Sequence, residues 1–280
     1  MLSKRPAYES IFHPSDFTEA SETAFCHALK LALAAQSSLT LLHATDQTQA
    51  DWHEFPRIRA TLERWKLIAP GSSRRAIVEL GIDVNKVVSH AANPIDAALH
   101  YLEKHATDLV VLATHPHEGL ASWLHHSLAE PIARGSHTPT LFLPHGKSGF
   151  VGREDGAVTL RNILIPVAAH PSPAVAARFA ARMVETLGVS SGTFHLLHVG
   201  ESEIVPPFEI PKCGDWTSAR ITKSGPVVET ITEAAASVHA DLIVMSTDGH
   251  RDFLDVLRGN TTERVLHHSP CPLLAVPVQH

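Results

Sequence analysis

The sequence predicts an α/β protein built from two successive copies of an open, mostly parallel sheet, and three observations predict it. The 280-residue chain repeats its own segments in order. Its strand-like segments are continuous apolar runs rather than alternating ones, as expected of parallel strands buried on both faces. Longer segments with helical spacing separate them, and strand–helix alternation of this kind gives parallel sheets with right-handed crossovers.

The repeat is read from four stretches. Ile11-Phe12-His13-Pro14-Ser15-Asp16 aligns with Ile163-Leu164-Ile165-Pro166-Val167-Ala168 as the first strand. Glu19 to Ala35 follows as a helix, with Ala24, Ala28, Leu31 and Ala35 at helical spacing, and Pro171 to Leu187 is its equivalent. Leu39-Thr40-Leu41-Leu42-His43-Ala44 then aligns with Phe194-His195-Leu196-Leu197-His198-Val199. Asp108 to Thr114 matches Asp241 to Thr247, and from there the copies run without a gap through Glu130 and Glu263 to Pro144 and Pro277. The copies differ most between their second and third strands. Ile58 to Trp65 reads as an amphipathic helix, whereas Val205-Pro206-Pro207-Phe208-Glu209-Ile210-Pro211 is broken by prolines and cannot be one. A Gly- and charge-rich stretch without apolar periodicity separates the copies. The expected division is therefore a first domain over residues 1–146, a linker over 147–159, and a second domain over 160–280 that lacks the middle helix.

Composition narrows the function classes. The chain is 44% apolar and 19% charged, as in globular proteins. A net charge of −6 without a basic run argues against nucleic acid as a partner. The opening residues do not read as a secretory signal, and no apolar run approaches the roughly 20 residues that span a bilayer. Cys26, Cys213 and Cys271 form neither a disulfide framework nor a CxxC pair, so a cytoplasmic location is expected. Cys271 between prolines reads as packing, and Cys213, in a loop beside Lys212, as the more suspect of the two as a reactive thiol.

In an open parallel sheet, ligands bind at the carboxyl ends of the strands, where loops meet helix N-termini. In the second copy the loop after the fourth strand reads Met245-Ser246-Thr247-Asp248-Gly249, then nine residues, then Gly259-Asn260-Thr261-Thr262-Glu263. Small residues there let backbone N–H groups approach phosphate oxygens, the threonines offer hydroxyls, and a helix starting near Thr261 points its positive end to the same place. Glycines that merely permit turns are the plainer account of the same spacing.

These segments resemble universal stress protein domains in both copies. The resemblance rests on the first strand ending Pro-x-Asp, the Leu-Leu-His strand, the Asp-Leu-Val/Ile-Val strand, Gly-Asn-Thr-Thr-Glu-Arg-Val-Leu, and the closing Cys-Pro-Leu-Leu-Ala-Val-Pro. It implies two Rossmann-like domains, each a five-stranded sheet flanked by helices, and a stress-response role. It also implies assembly through the last strands, Thr140 to Leu143 and Leu273 to Val276. Here these can pair within one chain as a pseudo-dimer, with a homodimer of chains left open. Many family members bind ATP or AMP through a Gly-x2-Gly-x9-Gly-Ser/Thr loop, with an aspartate after the first strand holding the adenosine end. Transferred by position, the nucleotide set of the second domain is Pro166, Val167, Ala168, Val199, Met245, Ser246, Gly249, Gly259, Asn260, Thr261 and Thr262. Ser246 replaces the first glycine and Ala168 the aspartate. The first domain keeps Asp16 but reads Ala113, Pro116, His126 and Ser127 across the phosphate loop, which makes it a poor phosphate site.

Loss of one hydrogen bond to a charged acceptor costs about 1.5–3 kcal/mol, roughly 10- to 150-fold in affinity. The expectation is weak ATP or AMP binding in the second domain and none in the first. The competing expectation is a scaffold that has lost nucleotide and acts through protein partners or another ligand, such as a metal. The 21 histidines include His115, His117, His125 and His126 around the loop of the first domain, with His137, His145, His267 and His268 elsewhere. Their spacing matches no familiar metal site, so no metal ligand is assigned and solvated histidines are expected. His43 and His198 read as structural. With ordinary values near 6.5, the histidines should swing the net charge between neutral and mildly acidic pH. No nucleophile elbow or carboxylate pair is present, so catalysis is limited to a weak ATPase at most.

Overall fold

The computed structural model describes residues 8–16, 18–45, 55–91, 93–114, 129–201, 208–248 and 261–278. Among these residues ten strands form one sheet, in the order β3-β2-β1-β4-β5-β10-β9-β6-β7-β8 when numbered along the chain. The first five-stranded half comprises β1 (Ser10–Pro14), β2 (Ser38–Ala44), β3 (Asp83–Ser89), β4 (Leu109–Ala113) and β5 (Thr140–Leu143). The second comprises β6 (Asn162–Val167), β7 (Ser191–Val199), β8 (Asp215–Lys223), β9 (Leu242–Asp248) and β10 (Leu273–Val278). All pairs within each half are parallel. The halves join through one antiparallel pair, with Phe142 opposite Leu273, Leu141 opposite Leu274 and Thr140 opposite Ala275. The two domains are thus the expected Rossmann-like units, arranged as a pseudo-dimer with their last strands paired.

Period-two alternation sends neighbouring side chains to opposite faces, and both faces are covered. One core layer takes Ile11, Leu39, Leu41, Val111, Leu141, Ile163, Ile165, Val244 and Leu274 beneath helices α1 (Glu19–Ala35) and α6 (Pro173–Thr186). The other takes Phe12, Leu42, Val110, Phe142, Leu164, Ile243 and Leu273 beneath α4 (Pro94–Lys104), α5 (Ala129–Ser136), α7 (Val227–Ser237) and α8 (Thr261–His268). Each layer runs through the seam between the halves. Helix α1 spans the expected residues: Thr18 caps it by accepting from the Ser21 N–H at 3.2 Å, and Gln36 ends it in the left-handed conformation.

Two short helices, α2 (Ile58–Arg64) and α3 (Arg74–Val78), fill the connection between β2 and β3. In the second half the described residues between β7 and β8 contain no helix, and Phe208–Pro211 follow an irregular path. Each half also uses an aspartate that the repeat aligned without giving it a role. The carboxylate of Asp108 accepts from the N–H groups of Glu9 and Ser10, and that of Asp241 from Arg161 and Asn162. Both fasten the start of the first strand to the start of the fourth.

The segment joining the halves is packed. Phe150, Val151 and Leu160 are buried, and Val151 bridges Val158. His27 of α1 anchors it: Nδ1 bonds the Thr23 carbonyl at 2.8 Å, and Nε2 accepts from the N–H groups of Phe150 and Val151 at 3.0 and 3.1 Å. A carbonyl only accepts, so the proton sits on Nδ1 and the ring is neutral. Gly149 leads into this clasp with φ +71, and a Cβ there would lie 2.4 Å from the imidazole. Nearby, Glu22 pairs with Arg153 at 2.6 Å and Arg64 at 3.6 Å, while Trp65 Nε1 donates to the Arg153 carbonyl.

Candidate functional site

The first strand of each half neighbours both the second and the fourth, so the strand order reverses beside it. The crevice at the carboxyl ends of those strands is where open α/β sheets take ligands. In the second half this crevice is a cavity of about 310 Å³ between β6, β9, α7 and α8. It is lined by Pro166, Val167, Ala168, Val199, Met245, Ser246, Thr261 and Thr262, eight of the residues expected from the sequence. Gly249, Gly259 and Asn260 lie outside the described residues. Leu197 and Ile231 add an apolar floor, and His170 and Val227 a rim that the sequence reading missed. Leu197 was legible in the Leu-Leu-His strand, whereas Val227 follows Pro226 at a helix start and carried no pattern.

Ser246, which the sequence reading expected in place of the first loop glycine, has its side chain turned to structural use. Its hydroxyl donates to the Ser172 carbonyl at 2.8 Å and accepts from the Ala176 N–H at 3.2 Å, so it sits inside the first turn of α6. Ser246 is not among the residues of positive φ, so no left-handed backbone opposes the substitution. Helix α8 begins at Thr261, placing its N-terminal end on the cavity wall.

The equivalent crevice of the first half encloses about 120 Å³, lined by Pro14, Ser15, Asp16, Ala44, Ala113 and Ala129 among others. Asp16 is committed locally, since its Oδ1 accepts from the N–H and hydroxyl of Thr18 at 3.0 and 2.7 Å. Pro116, His126 and Ser127 of the phosphate-loop alignment lie outside the described residues, as do His115, His117 and His125. The Leu-Leu-His histidines play the expected structural part in both halves: His43 Nδ1 bonds the Ser15 carbonyl at 2.8 Å, and His198 Nδ1 bonds the Val167 carbonyl at 3.2 Å. His43 ties the end of the second strand to the residue after the first, and His198 ties it to the last residue of the first.

Other side chains modify the sequence reading. His13 is fully buried, with Nδ1 on the Val111 carbonyl and Nε2 facing the Ser21 hydroxyl, which in turn meets Ser15. Burial lowers the pKa of both His13 and His27 to about 4, so these two do not join the charge swing expected of the histidines near pH 6.5. Cys213 is buried, and burial raises its thiol pKa, which opposes a reactive thiolate there; Cys271 is buried too, its thiol pushed up to about 12. Among the described residues, no group of three His, Cys, Asp or Glu side chains could hold a metal ion. No helix among them is long and apolar enough to cross a membrane.

Helix α8 also carries the seam. Glu263 pairs with Arg134 of α5, and His267 Nε2 lies 3.2 Å from Glu130 of the same helix. The repeat aligns Glu130 with Glu263 and Arg134 with His267, so the contacts are crossed equivalents about the pseudo-twofold.

The family model described as "Universal stress protein family" matches residues 7–144 and 216–277. No curated protein matches the chain. Among solved structures, a universal stress protein from Archaeoglobus fulgidus DSM 4304 aligns over 97% of both chains with a TM-score of 0.63 and 16% identity. A putative universal stress protein from Pseudomonas aeruginosa UCBPP-PA14 covers 97% of this chain and 94% of its own, with a TM-score of 0.59 and 14% identity. A functionally unknown protein from Pseudomonas aeruginosa PAO1 covers 97% and 93%, with a TM-score of 0.58 and 14% identity.

Proposed function

The chain belongs to the universal stress protein family, and from that premise we propose that it is a stress-response binding module whose second domain holds ATP or AMP weakly. The observation that carries this reading is the convergence of Pro166, Val167, Ala168, Val199, Met245, Ser246, Thr261 and Thr262 on one cavity at the switch point. The start of α8 offers backbone N–H groups and a positive helix end to a phosphate. Leu197, Val199, Ile231 and Met245 offer an apolar surface to a base. The first domain has a smaller crevice, and its aspartate is bonded to Thr18. Nucleotide occupancy would act at the start of α8, whose first turn meets α5 across the seam through Glu263 and Arg134 and whose last turn meets it through His267 and Glu130. Surfaces moved by that contact are the natural place for protein partners.

Restoring the lost carboxylate tests the site directly. Ala168 is exposed on the cavity wall, so Ala168→Asp adds an acceptor for the adenosine end without disturbing the core. It is expected to tighten AMP binding by roughly tenfold or more, the worth of one charge-assisted hydrogen bond. Equal affinity in both proteins, measured by titration calorimetry, would remove the adenosine end from this cavity. The chain would then read as a scaffold acting through its surfaces.

A further inference from the structure

The first domain holds a larger cavity, of about 610 Å³, in the α2–α3 connection, which has no helical counterpart among the described residues of the second domain. Its floor is apolar: Phe55, Ile58 and Ile82 are buried beneath it, while Val78 stands 60% exposed at its edge. Four cations line it, Arg57, Arg59, Arg74 and Lys86, and all four are exposed. None of them pairs with a carboxylate among the described residues. Of the two carboxylates on the lining, Glu63 accepts the Gly71 N–H at 2.9 Å, and Asp83 lies 3.5 Å from the side-chain amide of Asn85. Lys86 Nζ sits 5.3 Å from the centre of the Phe55 ring, and its partial burial lowers its pKa. Among the described lining residues four cations face two carboxylates, so the charge gathered around the apolar floor is net positive.

We propose that this cavity binds an anionic amphiphile, an apolar chain lying on Phe55, Ile58 and Ile82 with a carboxylate or phosphate head among Arg57, Arg59, Arg74 and Lys86. Charge complementarity selects the sign of the ligand, and the apolar floor selects its chain. The volume falls in the range of small-molecule sites, roughly 300–1,000 Å³. An acidic peptide strand is a poorer occupant, because the edge strand β3 carries exposed Asp83 and Lys86, and charged edges discourage strand pairing.

Calorimetric titration of the full chain with decanoate and with decyl phosphate, both below their micelle concentrations, tests the assignment. One probe or both should bind with one site per chain, and the preference between them identifies the head group. Acetate, inorganic phosphate and neutral decanamide should bind at least tenfold more weakly. Arg57→Gln/Arg74→Gln should weaken the better probe by roughly tenfold or more, as loss of charge-assisted bonds requires. Val78→Asp should weaken it too. These side chains are exposed, so unchanged urea midpoints are expected and show that each variant is folded. The proposal is overturned if neither probe binds, if decanamide binds equally well, or if the double variant binds as the parent does. Association with anionic vesicles without binding of the monomeric probes would also overturn it, and would place a membrane surface on this face.

Discussion

Replacing His27 with alanine is expected to cost about 3–5 kcal/mol of folding stability, measured as a shift in the urea midpoint. Losing the hydrogen bonds themselves would cost little; the larger loss comes from what the ring leaves behind. Its Nε2 satisfies two backbone N–H groups, those of Phe150 and Val151, which have been withdrawn from water. A buried group left without its partner costs about 1–3 kcal/mol. The imidazole also packs edge-on against Phe150 with ring centres 4.7 Å apart, so alanine opens a cavity as well. Glutamine carries a carbonyl oxygen that can accept in place of Nε2, and His27→Gln is expected to recover part of the loss. A change below about 1 kcal/mol in the alanine variant would mean that the joining segment is not held by this clasp.

Acid should undo the same contact, and His13 should add to the effect. The ordinary value of each histidine is 6.5, and in the folded chain burial lowers both to about 4. Between those values the unfolded chain binds more protons than the folded one, so stability falls as the pH drops. It is fully present above about pH 6.5, declines through the window, and levels off below about pH 4. Each group contributes about 1.4 kcal/mol per pH unit inside that window, on the order of 3 kcal/mol in all. Together they remove a large share of a typical domain stability of about 5–15 kcal/mol. Protonation also places an N–H on His27 Nε2 facing the Phe150 and Val151 donors, which breaks the clasp. Urea midpoints recorded from pH 7 to pH 4.5 should fall steeply in the parent and less steeply in His27→Gln. Equal slopes in the two proteins would show that His27 does not titrate in this way.

What could be read from sequence followed the range of the interactions. The apolar runs at Leu109–Ala113 and Leu242–Met245 are β4 and part of β9, because strands covered on both faces leave no alternation to misread. The small apolar stripe of α1 gave its boundaries, since Thr18 and Gln36 end it with local chemistry. The edge strand β8 gave little, as its burial alternates weakly and one side of it lacks a neighbour in the sheet. The pairing of β5 with β10 followed only from the family resemblance, because a strand does not encode its partner at this distance. His27 is the clearest case of information absent locally. It sits beside Cys26 and Ala28 in an ordinary helix, and the groups it satisfies lie 123 and 124 residues away.

The candidate site divides in the same way. The repeat and the family resemblance placed Pro166, Ala168, Val199, Ser246 and Thr261 on one crevice, because strand ends and helix starts are fixed by local pattern. That the Ser246 hydroxyl enters the first turn of α6 was hidden, since Ser172 and Ala176 are more than 65 residues away in sequence. The cavity beneath α2 and α3 was hidden for another reason. Arg57, Arg59, Arg74 and Lys86 are scattered along the chain and resemble solvated surface charge until the fold gathers them.

One chain is expected to hold one adenine nucleotide, and to hold it in the second domain. Calorimetric titration of the full-length chain with Mg-ATP and AMP tests it most directly, with matched variants that fill each crevice. Val199→Trp projects into the second cavity, and Ala44→Trp occupies its equivalent in the first. One site per chain is expected, with a dissociation constant of roughly tens to hundreds of micromolar, lost in Val199→Trp and kept in Ala44→Trp. No heat at millimolar nucleotide, or a site lost in Ala44→Trp and kept in Val199→Trp, would contradict it.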